Sequence, residues 1–520
     1  MCGACRGTGA HQWREGEGGD FKGAPHTVGE QPMSLEAPAV SPGLGKLVRD
    51  VSVYLGSGVI RKVVLFFLVP IYTRFLTQPE FGALDLVIAM GSLFAIVAEL
   101  QLPTGVARYF YEHASAGRGA DFLGETLVLR IALGVVVMGA GMAGAGPIAT
   151  WLIPGIPDGV VVVRLYFCLA LVAHLESGLL LCLRLVDRTV AFSILNVVGT
   201  LVQAGLAILG VVVLRLGLVG VLAAEVAGTL SVVVVALWLL WGAIAWRRPG
   251  QAALEALRLS LPTVPAAVFA WGGIYLGRIL MSRFLSLDQV AVFALVMKMV
   301  VILQFVANSM RLAWQPLSMR AASLDGRSEF YRDAFELSMG ALLLMSFLLT
   351  LFTGPLVLFL AGDAYREATY YVPAMVLGAV LATGTTFVDV GNQVARTTSN
   401  VSISTLAGTG LNLLVVAVGT QLVGLWAPAL GYFCGSALNL SLLLVLTRRS
   451  FDLKYRSASL VGTAVCALAM VGLHPVMVAN PLDSTAFWAA TLVMTIAVGT
   501  GLVFVTGPGV RAFARGLWRR

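Results

Sequence analysis

Runs of about 20 apolar residues, the length an α-helix needs to cross the hydrocarbon of a bilayer, recur along this chain from residue 51 onward. They lie at 51–73, 82–104, 123–145, 160–182, 191–213, 218–244, 260–282, 288–312, 333–357, 370–391, 401–420, 425–446, 457–477 and 486–506, separated by short polar breaks. This pattern predicts an all-α integral membrane protein with about 14 transmembrane helices. Composition agrees: 58% hydrophobic and 12% charged residues, with a mean hydropathy of +0.88, give more apolar surface than one soluble core can bury.

The basic residues check the count independently, because short cytoplasmic loops collect Lys and Arg. Even-numbered loops hold fifteen: Arg108, Arg118, Arg184, Arg188, Arg247, Arg248, Arg258, Arg320, Arg327, Arg332, Arg396, Arg448, Arg449, Lys454 and Arg456. Odd-numbered loops hold four: Arg74, Arg215, Arg283 and Arg366. A miscounted helix would swap every later loop, so the asymmetry supports fourteen spans and places both termini in the cytoplasm. Arg511, Arg515, Arg519 and Arg520 fit that orientation. The net charge of +8 therefore points to membrane orientation and anionic headgroups, not to nucleic acid.

Residues 1–45 are rich in Gly, Pro and charge, hold no apolar run, and read as a disordered cytoplasmic tail rather than a signal peptide. Met33 is an alternative start. The six cysteines are scattered and form neither a disulfide framework nor a zinc tetrad. The lone CxxC from Cys2 to Cys5, with His11 and His26 nearby, reads as part of the tail.

The chain also repeats itself. "TRFLT" at 73–77 answers "SRFLS" at 282–286, an offset of 283 − 74 = 209. The same offset pairs Leu86 with Leu295, Met90 with Met299, Gly117-Arg118 with Gly326-Arg327, Gly199-Thr200 with Gly408-Thr409 and Gly210 with Gly419. Thr77 with Glu80, and Ser286 with Gln289, both read as capping boxes opening the second helix of a lobe. Each repeat holds six helices, an even number, so the two copies lie parallel, related by an axis along the membrane normal. The expected domains are the tail 1–45, an N-lobe 46–250 with helices 1–6, a C-lobe 251–450 with helices 7–12, and 451–520 with helices 13–14 and a basic cytoplasmic end. Two such lobes meeting at the midplane form the architecture of an alternating-access transporter.

Residues 55–82, "LGSGVIRKVVLFFLVPIYTRFLTQPEFG", resemble the opening of the polysaccharide-biosynthesis branch of the multidrug/oligosaccharidyl-lipid/polysaccharide (MOP) exporter superfamily, the Wzx-type flippases. The pattern P-x-Y-T-R-x-L then E-F-G falls on Pro70, Tyr72, Thr73, Arg74, Leu76, Glu80, Phe81 and Gly82. The likeness covers about residues 50–506 and implies a MATE/MOP-like fold. It implies a flippase for undecaprenyl-diphosphate-linked glycan in the bacterial inner membrane, with membrane lipids and polysaccharide polymerase or chain-length machinery as partners.

Arg61 and Lys62 sit side by side within the first apolar run, where hydrocarbon is expected. Their repeat mates are Ala270 and Trp271, so the scaffold does not need these charges. Lys298 answers to Ala89 and Arg278 to Val69, whereas Arg74 and Arg283 keep the repeat and are expected to anchor helix ends at the headgroups. A midplane charge costs about 3 kcal/mol unless it meets water or a partner, which makes each repeat-breaking cation a site candidate. Arg and Lys are natural ligands for a lipid diphosphate. Arg61, Lys62, Arg278, Lys298, Gln304 and Arg311 are therefore the expected lining of a cationic cavity; Gln304, Asn308 and Arg311 share one face of helix 8.

Asp85, Glu99 and Asp389 are expected to pair charges, the first two with the helix 1 cations, or to couple H+ or Na+; five cations against these three leave +2 if all face inward. Asn392 reads as a further lining residue. His174, Glu176 and Glu225 read as packing groups, and Asn196, Gln203, Asn412 and Asn439 as interhelical hydrogen bonds. No cofactor or metal is expected, and no Gly-rich loop ending in GK[ST] is present to bind ATP. The alternatives are a MATE-type small-molecule antiporter, a lipid II flippase and, remotely, a membrane glycosyltransferase or polymerase. The last needs a large external loop carrying acids and bases, which this chain lacks.

Overall fold

Among the described residues, fourteen helices are long and apolar enough to cross a membrane. They are α1 (Gly56–Phe75), α2 (Gln78–Ser115), α3 (Gly119–Ala143), α4 (Gly159–Leu185), α5 (Thr189–Val213), α6 (Gly217–Leu240) and α7 (Gln251–Met281). Then follow α8 (Leu287–Leu312), α9 (Ser328–Leu351), α10 (Ala368–Val394), α11 (Ser399–Val423), α12 (Trp426–Arg448), α13 (Val461–Ala479) and α14 (Thr485–Val505). This computed structural model describes residues 44–321, 327–395, 399–448, 456–479 and 485–507; among them there is no strand. The tail with its CxxC, and the basic C-terminus, lie outside the described residues.

Both expected capping boxes form. Thr77 and Glu80 satisfy each other's backbone N–H at the start of α2. At the start of α8, Ser286 N–H donates to Gln289 Oε1 at 3.2 Å and Gln289 N–H to Ser286 Oγ at 3.3 Å. Each such cap is worth about 1 kcal/mol and fixes where its helix begins, so the two copies enter the membrane in the same register.

The two lobes meet where α2 crosses α8. A Cβ on Gly82 would lie 2.3 Å from the Leu287 carbonyl oxygen and 3.0 Å from Ala291 N, and Ala291 is the repeat mate of Gly82 (82 + 209 = 291). A residue facing its own mate marks a pseudo-two-fold axis, and the absent side chain allows the backbones their close approach. The neighbouring contacts repeat that symmetry. Arg74 donates to the Phe359 carbonyl at 3.3 Å, in the short helix Thr353–Ala361 after α9, and Thr73 Oγ1 donates to Leu360 O. Arg283 lies 3.8 Å over the Trp151 ring, in the short helix Ala145–Leu152 after α3. Arg74 and Arg283 thus each reach across to the opposite lobe at exposed positions.

Two helix boundaries extend past the hydropathy pattern. Leu100 and Gln101 adopt left-handed φ of 45° and 54°, a break costing about 1–3 kcal/mol per residue. Beyond it the chain continues as the amphipathic helix Leu102–Ser115, packed against Gln251–Ser260, the first section of α7. Gly105 N–H donates to Ser260 Oγ at 3.0 Å there. Amphipathic turns average out in a hydropathy window, so only the apolar parts of α2 and α7 were legible. Further along, α7 widens into a π-helical turn at Gly272–Leu276, just before Arg278.

Outside the repeat, α13 and α14 pair with each other and pack on α9 and α10. Glu336 of α9, with a side chain 1% exposed, ties them on. It accepts from Ser459 Oγ at 2.7 Å and from Gly507 N–H at 2.9 Å, with Arg456 Nη1 at 3.6 Å.

Candidate substrate cavity between the lobes

The sequence-predicted site residues other than Lys62 and Glu99 fall into three neighbouring cavities rather than one. The first, about 340 Å³, lies between the lobes and is lined by Asp85 of α2, Arg278 of α7, Lys298 and Gln304 of α8, Asn412 of α11 and Tyr432 of α12. Arg278 Nη1 donates to both oxygens of Asp85, at 3.0 and 3.1 Å, and its guanidinium lies 5.0 Å over the Tyr275 ring. The pair is buried and joins the two lobes at the level of the π turn. Arg278 Nε is itself buried without a hydrogen-bond partner. Lys298 is half-buried on the same cavity, with Gln304 and Tyr432 lining it beside Lys298.

The second cavity, about 230 Å³, lies inside the N-lobe. Arg61 lines it, donating to Asn196 Oδ1 at 3.3 Å, together with Tyr166, Glu176, Gln203 and Glu225. Glu176 stands within electrostatic reach of Arg61, and Glu225 within reach of Lys298. Lys62, one position on, turns toward the other lobe, its Nζ 4.9 Å over the Phe305 ring of α8. The third cavity, about 320 Å³, belongs to the C-lobe and holds Arg311 and Asp389 together with Trp314, Gln393 and Asn439. Asp389 accepts from Gln393 Nε2 at 2.7 Å.

Several sequence expectations are corrected by this geometry. Asp85 and Glu99 do not neutralise the helix 1 cations: Asp85 pairs with Arg278, and Glu99 with Arg130 of α3 at 3.0 Å. Arg130, 4% exposed, also donates to the His174 carbonyl at 2.9 Å, so Glu99 and His174 belong to a polar knot inside the N-lobe, away from the interlobe cavity. Arg130 escaped notice in the sequence, although the test that singled out Arg61 finds it: its repeat mate is Met339. Glu176 and Glu225, read as packing groups, line a cavity instead. Gln203, Asn412 and Asn439, read as interhelical hydrogen bonds, also face cavities. Asn392 is buried, donating to Thr447 Oγ1 and accepting from Asn400 Nδ2, both at 2.8 Å, so it is a tie between helices. Asn308 is exposed and off the cavities, and Arg311 is separated from Lys298 by the length of the helix between them.

The charge balance changes accordingly. With Arg278 bound to Asp85 and Arg130 to Glu99, the central region keeps Arg61, Lys62 and Lys298 facing Glu176 and Glu225. Ionised carboxylates leave one net positive charge there, where the sequence suggested two. Positive sign survives at the interlobe surface because Lys62 and Lys298 stand there on α1 and α8, while Arg61 shares the N-lobe cavity with the two glutamates.

The sequence pattern that defines the polysaccharide biosynthesis protein family matches residues 47–321. No curated protein matches the sequence. Among solved structures the fold is similar to "Lipid II flippase MurJ, inward closed conformation", with a TM-score of 0.67 and 11% identity, covering 89% of this chain and 98% of that one. It is also similar to an inward-facing "multidrug resistance MATE family transporter of the MOP superfamily", with a TM-score of 0.60 and 14% identity over 75% of this chain and 94% of that one. An outward-facing MATE transporter of the same superfamily follows with a TM-score of 0.54, 14% identity and coverage of 77% and 95%. At these identities the likeness establishes the fold: two parallel six-helix lobes of the MATE/MOP type, with two helices added at the C-terminus.

Proposed function

Because the chain belongs to the polysaccharide biosynthesis protein family, we propose that it is an alternating-access flippase for a polyprenyl-diphosphate-linked oligosaccharide in the bacterial inner membrane. The observation that carries this reading is the gathering of repeat-breaking cations around the interlobe region: Lys298 and Arg278 line the interlobe cavity, Lys62 turns toward the other lobe, and Arg61 lines the adjoining N-lobe cavity. A diphosphate drawn from the membrane surface exchanges its counterions for these groups, and charge-assisted hydrogen bonds to Arg and Lys hold it while the sugars leave water. The polyprenyl chain stays in lipid. The loop charges orient both termini to the cytoplasm, so the seam of Arg74, Gly82 and Arg283 lies at the external end, the Asp85–Arg278 pair about one helical turn inside it, and Arg61 and Lys62 toward the loading side. No covalent chemistry is involved; the work is differential binding of two conformations. Glu176 and Glu225, beside Arg61 and Lys298, are the groups placed to exchange an H+ or Na+ against substrate.

A lipid II flippase shares the same headgroup chemistry, and the likeness to the MurJ fold over 98% of that chain favours keeping it as a second reading. The deciding measurement is flipping in proteoliposomes of undecaprenyl-diphosphate oligosaccharide and of lipid II, with ethidium efflux from cells as the third arm. Glycolipid flipping without ethidium efflux is expected. Lys298→Ala, and Arg61→Ala with Lys62→Ala, are expected to lower it at least tenfold at normal protein levels. Ethidium efflux without any lipid flipping would transfer the assignment to the antiporter class.

A further inference from the structure

The N-lobe cavity has a twin. Gly199, Thr200 and Gln203 of α5 line it, and their mates at 408 − 199 = 209, Gly408, Thr409 and Asn412 of α11, line a cavity of about 470 Å³ in the C-lobe. The offset then slips. The left-handed turn glycines after α5 and α11, Gly217 at φ +54° and Gly424 at φ +57°, stand 424 − 217 = 207 apart, so the second copy is two residues shorter here. With 207 applied, Gly228 and Thr229 of α6 match Gly435 and Ser436 of α12, and each again lines the cavity of its own lobe. The same small-residue frame has therefore been kept twice, around two fillings.

The fillings differ in charge. Arg61, Glu176 and Glu225 of the N-lobe cavity correspond to Ala270, Thr385 and Tyr432 in the C-lobe, and Val232 corresponds to Asn439. No ionised side chain lines the C-lobe cavity among the described residues; its polar groups are the amides of Asn412 and Asn439 and hydroxyls including Thr405, Thr409 and Ser436. Asn439 Oδ1 is buried without a hydrogen-bond partner, an acceptor waiting for a donor. Tyr432 and Phe269 add aromatic faces between them. Asn412 and Tyr432 line both this cavity and the interlobe cavity that holds Lys298, so the two are joined.

We infer that the C-lobe cavity is the subsite for the neutral sugars next to the diphosphate, so that the two lobes divide one substrate: ionic groups for the headgroup charge, amides and hydroxyls for the glycan. Amides donate and accept, which matches the hydroxyl pattern of a pyranose. Aromatic faces match its C–H surfaces, and 470 Å³ lies within the range of pockets that enclose a small ligand. A hydrocarbon tail would leave the amides unsatisfied, and a cation would find no carboxylate here.

The inference rests on the flippase reading, and the experiment separates the two. Binding to the purified full-length protein in detergent is measured by native mass spectrometry for two probes, undecaprenyl diphosphate and the same lipid carrying a neutral tetrasaccharide. The wild type is expected to prefer the glycolipid by about tenfold, or about 1.4 kcal/mol. Asn439→Leu with Ser436→Ala, which removes hydrogen-bonding groups that line the C-lobe cavity and not the interlobe cavity, is expected to abolish that preference and leave binding of the bare lipid diphosphate unchanged. Thr409→Val, which removes one hydroxyl at constant shape, is expected to reduce the preference if the double variant fails to fold. Lys298→Ala is expected to weaken both probes alike. A preference retained by the double variant and by Thr409→Val overturns the sugar subsite alone, whereas bare-lipid binding that Lys298→Ala leaves intact overturns the lipid-diphosphate reading beneath it.

Discussion

Removing one partner of the buried pair between Asp85 and Arg278 tests how the lobes are joined. Nη1 reaches the two carboxylate oxygens at 3.0 and 3.1 Å, and the side chains are 10% and 8% exposed. At that separation the attraction is about 5 kcal/mol for an effective dielectric near 20. Breaking a buried pair leaves the other charge desolvated and costs about 3–5 kcal/mol, whereas replacing both members by apolar groups of similar volume is close to neutral. Asp85→Leu and Arg278→Met should each lower the melting temperature by several degrees in detergent, followed by tryptophan fluorescence, and the double variant should recover most of the loss. Stability and transport should then come apart: the double variant stays folded and yet fails to flip glycolipid, because the Arg278 guanidinium no longer lines the cavity. A double variant no more stable than the weaker single one would show that the two groups are not energetically coupled, and the cross-lobe pair would lose its standing.

Reporter fusions after Arg118 and after Arg456 should behave as cytoplasmic and one after Pro157 as external; a cytoplasmic signal at Pro157 would refute the orientation read from the loop charges. Gly82→Leu places a side chain where the Leu287 carbonyl stands 2.3 Å from a Cβ, so the seam between α2 and α8 should not close, seen as lost crosslinking between Gln78→Cys and Ala364→Cys with a short bifunctional thiol reagent. Glu336→Ala strands the Ser459 hydroxyl and Gly507 N–H that it now accepts from, at about 2–3 kcal/mol, and should expose Arg456 to trypsin while the twelve-helix body stays protected. Unchanged trypsin resistance would mean that packing alone holds α13 and α14.

The number of spans, the two-fold repeat and the start of each lobe's second helix were determined by local sequence. A bilayer imposes a length on every crossing, a capping box acts within four residues, and both copies carry the same signals at one offset. The repeat also marked which charges the scaffold can do without, as Ala270 opposite Arg61 and Ala89 opposite Lys298 demonstrate. Which charge meets which was decided by tertiary structure alone. Asp85 could serve Arg61, Lys62 or Arg278 as far as spacing goes, and only the crossing of α2 with α7 selects Arg278, because an ion pair in a low-dielectric interior depends on a few ångströms set by helix packing. The twin cavities were hidden for a related reason. The slip from 209 to 207 at the turn after α5 and α11 breaks the sequence register while the fold keeps the spatial one, so Glu225 and Tyr432 became equivalent only when the backbone turns at Gly217 and Gly424 were matched.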